Sequence, residues 1–224
     1  MIIGLDIGTS SAKAVAFDHA GNILSQHSIP YPIINPLEGW YEQDPEIVYG
    51  ACIDSIMHVM ISLRQSSGEI PKPVCISVSS AMHGLIAVDS AGQPLSNCII
   101  WADRRSEHIA VALEASEAGR LLYQQTGTPI HPMSLLCKLM WIGANDQKLF
   151  AQSYKFIGIK EFLFYRLFGV YVVDHSIASA TGLFDIHHLR WSDQALSLAG
   201  ISEEQLASPV PVNYILNMPS REIA

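Results

Sequence analysis

The chain has 224 residues, 49% of them hydrophobic, enough for one large domain or two small ones. Thirteen Lys and Arg face 21 Asp and Glu, a net charge of −8 that argues against nucleic-acid or anionic-membrane partners. No continuous 18-residue apolar run and no charged n-region with a cleavage site are present, so neither a membrane span nor a signal peptide is expected.

Residues 2–8, 12–18 and 22–29 alternate as three strands joined by tight turns, at Thr9-Ser10 and at "DHAG". A helix is expected from Asp44, the N-cap, through Pro45 in the first turn and on to Leu63. Strands return at 74–80 and 84–89. There "IAVDSAGQPLS" repeats the turn chemistry of "VAFDHAGNILS", one turn solution used twice rather than a duplication. Helices are expected over 104–118, 134–151, 159–168 and 193–199. Pro219-Ser220 look like a helix start only four residues before Ala224, too few to sustain one, so the chain is expected to be cut inside a longer protein. Hairpins interleaved with helices give an α/β fold with a mixed sheet. Cys52, Cys75, Cys98 and Cys137 form no C-x-x-C pair and read as reduced, mostly core thiols of a cytoplasmic protein.

The first hairpin, "GLDIGTSSAKAVAFD", carries the chemistry. Phosphate needs N–H and hydroxyl donors, and hydrated Mg²⁺ needs a carboxylate. Gly8 leaves room for close backbone approach, Thr9, Ser10 and Ser11 offer donors, and Lys13 adds charge. Asp6 reads as a strand-interior acid, costly unless it faces a metal. A polar hairpin turn with no ligand remains the alternative. Neither a Walker loop nor G-x-G-x-x-G occurs, so any nucleotide site must use another architecture.

The same segment resembles the phosphate-1 element of the actin-like ATPase and sugar-kinase superfamily. "GWYEQDPE", "SSAMHGLIAVD" and "IIWADRRS" resemble FGGY carbohydrate kinases, in that order. "TGTPIHPMS", "KFIGIKEFLFYRLF" and "YVVDHSIASATGL" most resemble the members that phosphorylate gluconate, then those that act on xylulose. The resemblance runs the length of the chain. In "MSLLCKLMWIGAN", Leu135 stands where the family signature favours a small Pro, Ser or Thr, and Ala144 replaces a polar residue, while Lys138 and Trp141 keep their places.

The resemblance implies a ribonuclease H-like, actin-like ATPase fold with a mixed sheet flanked by helices. It makes residues 1–224 a sugar-binding, phosphate-1 domain, with the adenine-binding C-terminal domain and its general-base aspartate expected beyond Ala224. ATP and Mg²⁺ are the implied cofactors. Asp6 would serve the metal, and Gly8, Thr9, Ser10 and Lys13 the phosphates. Met82, His83, Trp101, Asp103, Arg104, His131, Met133 and Glu42 or Gln43 would face a sugar acid. Trp101 could equally be core, and one of Arg104 and Arg105 is expected to hold an anion, since both open a helix where a cation is disfavoured. Lys160, Glu161 and Asp174 read as bracing, and His187-His188 as surface. A homodimer is left open. The rival readings are a xylulose kinase, a non-catalytic sugar-binding module, and an actin-like ATPase without sugar chemistry.

Overall fold

The computed structural model describes residues 1–67 and 72–217. Pro219 and Ser220 lie outside them. The chain divides into two compact units, residues 1–34 with 43–81, and residues 35–42 with 82–224.

The first unit is built on a mixed sheet. Strands β1 (Ile2–Ile7), β2 (Ser11–Phe17) and β3 (Ile23–Pro30) form an antiparallel meander. A two-residue strand β4 (Glu42–Gln43) leads into helix α1 (Pro45–Ser67), and β5 (Cys75–Ser80) then pairs parallel to β1. Ile3, Leu5 and Ile7 alternate with Ala12, Ala14 and Ala16 on one face, all at 2% exposure or less. The small β2 alanines let α1 lie close against the sheet. Asp44 caps α1 as expected, its Oδ1 accepting from the Glu46 and Ile47 N–H groups at 2.8 and 3.3 Å. By length and a mean hydropathy of 1.4, α1 could cross a membrane, which a search for continuous apolar runs does not register. Its Val48, Ala51, Cys52 and Val59 are buried towards the sheet, as in a core helix.

The second unit packs helices around short strand pairs. β6 (Ile86–Val88) and β7 (Cys98–Ile99) precede helices α2 (Glu107–Glu114), α3 (Glu117–Thr126), α4 (Leu135–Asn145) and α5 (Gln147–Gln152). β8 (Lys155–Ile157) pairs antiparallel with β6, and α6 (Ile159–Phe168) follows it. β9 (Val172–Asp174), α7 (His175–Ser179), β10 (Phe184–Asp185), β11 (Arg190–Trp191), α8 (Asp193–Ala199) and β12 (Ser208–Val210) complete the unit. β10 pairs with β11, and β9 runs parallel to β12. Leu85, Leu122, Leu136, Leu139, Phe156 and Phe184 centre its core.

Two expected helices are each two. The 104–118 helix starts only at Glu107, and Ser116 opens α3 by accepting the Gly119 N–H at 3.0 Å. The 134–151 helix breaks at Asp146, which ends α4 and caps α5 through the Leu149 N–H. In both places a side-chain acceptor competes with the helical carbonyls, the usual way Ser and Asp interrupt a periodic segment.

The two Asp-x-Ala-Gly turns are built alike. Asp18 Oδ1 accepts from the Ala20 and Asn22 N–H groups, and Asp89 Oδ1 from those of Ala91 and Gln93. Gly21 and Gly92 both have positive φ. Around Gly21 a Cβ would meet nothing within 4 Å, whereas at Gly92 it would fall 1.9 Å from the Tyr165 ring. That ring stacks on Tyr171 at 4.2 Å.

Candidate functional site

The turn between β1 and β2 is held by its carbonyls. Gly8 O accepts from the Tyr31 hydroxyl at 2.5 Å, and Thr9 O from the Gln43 amide at 2.6 Å. Ser10 O accepts from the Tyr31 N–H at 3.1 Å, and Ser11 O from the Gly8 N–H at 3.0 Å. All four acceptors of the turn are therefore engaged by the scaffold. An anion is repelled by carbonyl oxygens and attracted by N–H and hydroxyl groups, so a turn whose carbonyls are engaged elsewhere presents less repulsion to an anion.

Asp6 does not behave as a strand-interior acid. It lies on the exposed face of β1, directly across from Lys13 on β2 and Ser79 on β5, and Lys13 is exposed too. The burial cost expected from the sequence is thus absent, because the apolar neighbours Leu5 and Ile7 point to the opposite face. What remains is a solvent-facing carboxylate paired in register with a lysine, one turn from a donor-rich hairpin. Gly8 is tight, since a Cβ there would lie 3.3 Å from Ser11 O and 3.8 Å from Asp6 Oδ2.

The second unit gathers another set of residues around two buried cations. Arg105, with 5% of its side chain exposed, grips Asp103 through Nε and a terminal nitrogen, both at 2.9 Å, and reaches Glu42 Oε1 at 2.5 Å. Its guanidinium lies 3.8 Å over the Trp40 ring and 5.4 Å from Trp141. Asp103, 1% exposed, also accepts the Tyr41 N–H at 2.8 Å, and Glu42 accepts from Asn97 at 2.9 Å. Residues 40–42 are thereby fastened to the 97–105 segment. Arg105 is thus a tether, and among the described residues Arg104 pairs with exposed Glu107.

Lys138 is wholly buried on α4, one turn beyond the Ser134 cap. Its ammonium donates to His83 O at 2.5 Å, Ile100 O at 2.9 Å and Ile99 O at 3.1 Å. Burial pulls its pKa down to about 7. One amine thus joins the Met82-His83 segment to the Trp101-Asp103 segment. His83 has φ +67, uncommon for a residue with a Cβ. Burial, and then the nearby Lys138 charge, lower the imidazole pKa to about 4.

The 131–134 loop joins the same cluster. Ser106 Oγ donates to Pro132 O at 3.0 Å, and His131 Nδ1 accepts the Met133 N–H at 3.1 Å. His131 is exposed, Met133 is partly buried, and Met82 and Trp101 are 43% and 48% exposed. Trp101 is therefore not core. The expected sugar residues separate physically into two groups. Met82, Trp101, Arg104 and His131 present surface, whereas Asp103 and Glu42 have their oxygens committed to Arg105, Tyr41 and Asn97. Gln43, 6% exposed, belongs to the first unit and spends its amide on Thr9 O of the β1–β2 turn. Lys160 and Asp174 form a bracing ion pair at 2.6 Å. Trp40 and Tyr31 were missed. A Trp two residues from the acid that holds Arg105 was the available signal for the first, and nothing local marked the second.

The model of the FGGY family of carbohydrate kinases, N-terminal domain, matches residues 1–223. The chain belongs to the FGGY carbohydrate kinases. Among curated members of this family, it is 41% identical to the gluconokinase of Bacillus subtilis (strain 168) over 223 residues, 100% of this chain and 42% of the relative. It is 30% identical to the xylulose kinase of Staphylococcus xylosus over 195 residues, 87% of this chain and 39% of the relative. The crystal structure of gluconate kinase from Lactobacillus acidophilus superposes with a TM-score of 0.85 at 34% identity, covering 93% of this chain and 41% of that one. The FGGY chain described here thus spans about two fifths of the length of such relatives. The fold is that of the FGGY sugar kinases, an actin-like ATPase fold with a mixed sheet and flanking helices.

Proposed function

We infer that this chain is the sugar-binding and phosphate-1 part of an ATP-dependent gluconate kinase that makes 6-phosphogluconate. The observation that carries this reading is the 41% identity to a gluconokinase along essentially every residue of the chain. The residues fit the implied cofactors: the β1–β2 turn has its acceptors tied back, and Asp6 offers an open carboxylate beside Lys13. Asp6 would hold hydrated Mg²⁺, with Thr9, Ser10 and Lys13 on phosphate oxygens beside Gly8. The metal would supply charge neutralisation at the transferred phosphate.

On the sugar side, Met82, Trp101, His131 and Met133 form the contact surface. Asp103 and Glu42, held by Arg105, keep that surface in shape. His131 accepts through Nδ1, which leaves its Nε2–H to donate to a hydroxyl. Arg104 supports the choice of an acid sugar. Its side chain is 64% exposed, and its pair with Glu107 is an exposed i,i+3 contact of little energetic worth. The guanidinium can therefore turn to a substrate carboxylate at little cost. A neutral sugar would leave that cation without its anionic partner. The setting is a cytoplasmic enzyme, and its remaining domain supplies the adenine site and the general base.

The test is a coupled assay of the intact protein with gluconate, xylulose and glycerol. The expected result is a kcat/KM for gluconate at least about tenfold above the others, with Arg104→Gln removing most of that preference. A preference for xylulose would overturn the substrate assignment in favour of the xylulose kinases that this chain also resembles. The 224-residue chain alone should bind sugar without turnover, and phosphorylation by it would refute the division of labour.

A further inference from the structure

Glu161 sits in the first turn of α6, 3% exposed, and among the described residues neither carboxyl oxygen has a hydrogen-bond partner. Its carboxyl folds back over the helix start, and Gly158 leaves the space: a Cβ there would fall 2.4 Å from Oε2. Burial pushes the Glu161 pKa up to about 7, against the pull of the Glu161 and Gly158 N–H groups. In mildly acidic solution, below that value, the group is mainly a carboxylic acid with a proton to donate.

His83 Nδ1 is likewise buried and without a partner. Burial holds the imidazole neutral, so the unpartnered Nδ1 can serve as an acceptor. The other ionisable groups nearby are committed. Lys138 donates to three carbonyls, Lys160 pairs with Asp174, and burial raises the Cys98 thiol to about 12. His83 and Glu161 line one cavity of about 20 Å³ with Thr181, whose hydroxyl is engaged by Ala178 O and the Leu183 N–H, and with apolar side chains such as Leu135, Phe156, Ile177 and Trp191. A buried donor and a buried acceptor left unmade would each cost roughly 1–3 kcal/mol. One water needs only about 10–15 Å³ of such space and at least two polar partners.

We propose that this cavity binds one internal water between the Glu161 carboxylic acid and His83 Nδ1, making Glu161 the positioning residue of the imidazole. The water donates to Nδ1 and accepts from the carboxyl O–H, so no proton changes owner. The ring is thereby locked as its Nε2–H tautomer. With the ring fixed, the left-handed backbone of His83 keeps its carbonyl on Lys138 and Met82 at the surface. The kinetic consequence rests on the sugar-facing reading of that segment; the water site does not.

Selective ¹⁵N-histidine NMR of the intact protein near pH 6, below the Glu161 value and above that of His83, tests the site directly. A single tautomer with unprotonated Nδ1 is expected for His83, kept in Glu161→Gln and lost to tautomer exchange in Glu161→Leu. A proton on Nδ1 in the wild type, or an unchanged ring in Glu161→Leu, would overturn the proposal. So would a high-resolution crystal structure of the wild type with a dry cavity, a result that needs no variant to fold. In the kinase assay, Glu161→Leu is expected to raise the sugar KM about tenfold with a smaller change in kcat, and Glu161→Gln to restore it. A changed tautomer with an unchanged KM would leave the water in place and overturn the sugar-facing reading of His83.

Discussion

The β1–β2 turn, proposed for phosphate, and the Arg105–Lys138 cluster, proposed for sugar, hold their shapes by opposite means. The β1–β2 turn is fixed by neutral donors on backbone carbonyls, from Tyr31, Gln43 and Gly8, and its charged groups stay in solvent. The sugar cluster is fixed by two buried cations, Arg105 on carboxylates and Lys138 on carbonyls. The difference suits the role proposed for each. A surface that takes up a highly charged phosphate cannot keep a fixed carboxylate network beside it without competing for the same cations. A surface that reads hydroxyls gains from rigid walls, and buried charge-assisted bonds give rigidity at the cost of desolvation.

That contrast can be broken where it is strongest. Arg105→Met leaves Asp103 and Glu42 buried without their cation, and a loss of about 3–5 kcal/mol is expected in urea unfolding. A loss under about 1 kcal/mol would mean the cluster does not depend on its charges. Lys138→Met leaves three carbonyls without their donor. It should cost roughly 2–3 kcal/mol and raise the sugar KM more than the ATP KM. Equal effects on both would contradict a role confined to the sugar segments.

Acid should separate the two regions further. Burial alone would raise the Asp174 pKa, but Lys160 at 2.6 Å and the Ile177 and Ser176 N–H groups outweigh it and hold it below 3.8. A carboxylate with a lowered folded-state pKa gives stability that is present above its unfolded pKa and lost as pH falls through the folded one. Amide exchange below about pH 4 should therefore rise around β9 and α7, and Lys160→Met, at a cost of about 1 kcal/mol, should remove that dependence. An effect of the same size is expected at the neutral turn. Tyr31→Phe deletes one bond to Gly8 O, costing about 1 kcal/mol, and should raise the ATP KM while the sugar KM stays the same.

The elements with strong periodicity were legible from sequence. β1–β3, α1, α6 and α8 stand within a few residues of where the pattern puts them, because one face of each must be buried. The splits at Ser116 and Asp146 were not legible, since helical spacing continues through them and only side-chain capping ends the helix. The short pairs β9–β12 and β10–β11 carry too few residues for alternation to register. For Asp6 the apolar neighbours in sequence suggest burial, but alternation places it on the open face. At the sugar cluster, the residue types were evident and their division of labour was not. Whether Asp103 meets a ligand or Arg105 depends on contacts 62 and 63 positions away in the chain, such as Tyr41 to Asp103 and Glu42 to Arg105.

The twin Asp-x-Ala-Gly turns have different futures under mutation. At Gly21 the only demand is a backbone that accepts positive φ, so Asn or Asp should survive there in a selected library. At Gly92 the Tyr165 ring fills the place of any side chain, so every substitution must displace a ring stacked on Tyr171. Two segments that read almost alike would thus diverge as sequences drift, one variable and the other invariant, with an aromatic ring 73 residues downstream deciding which.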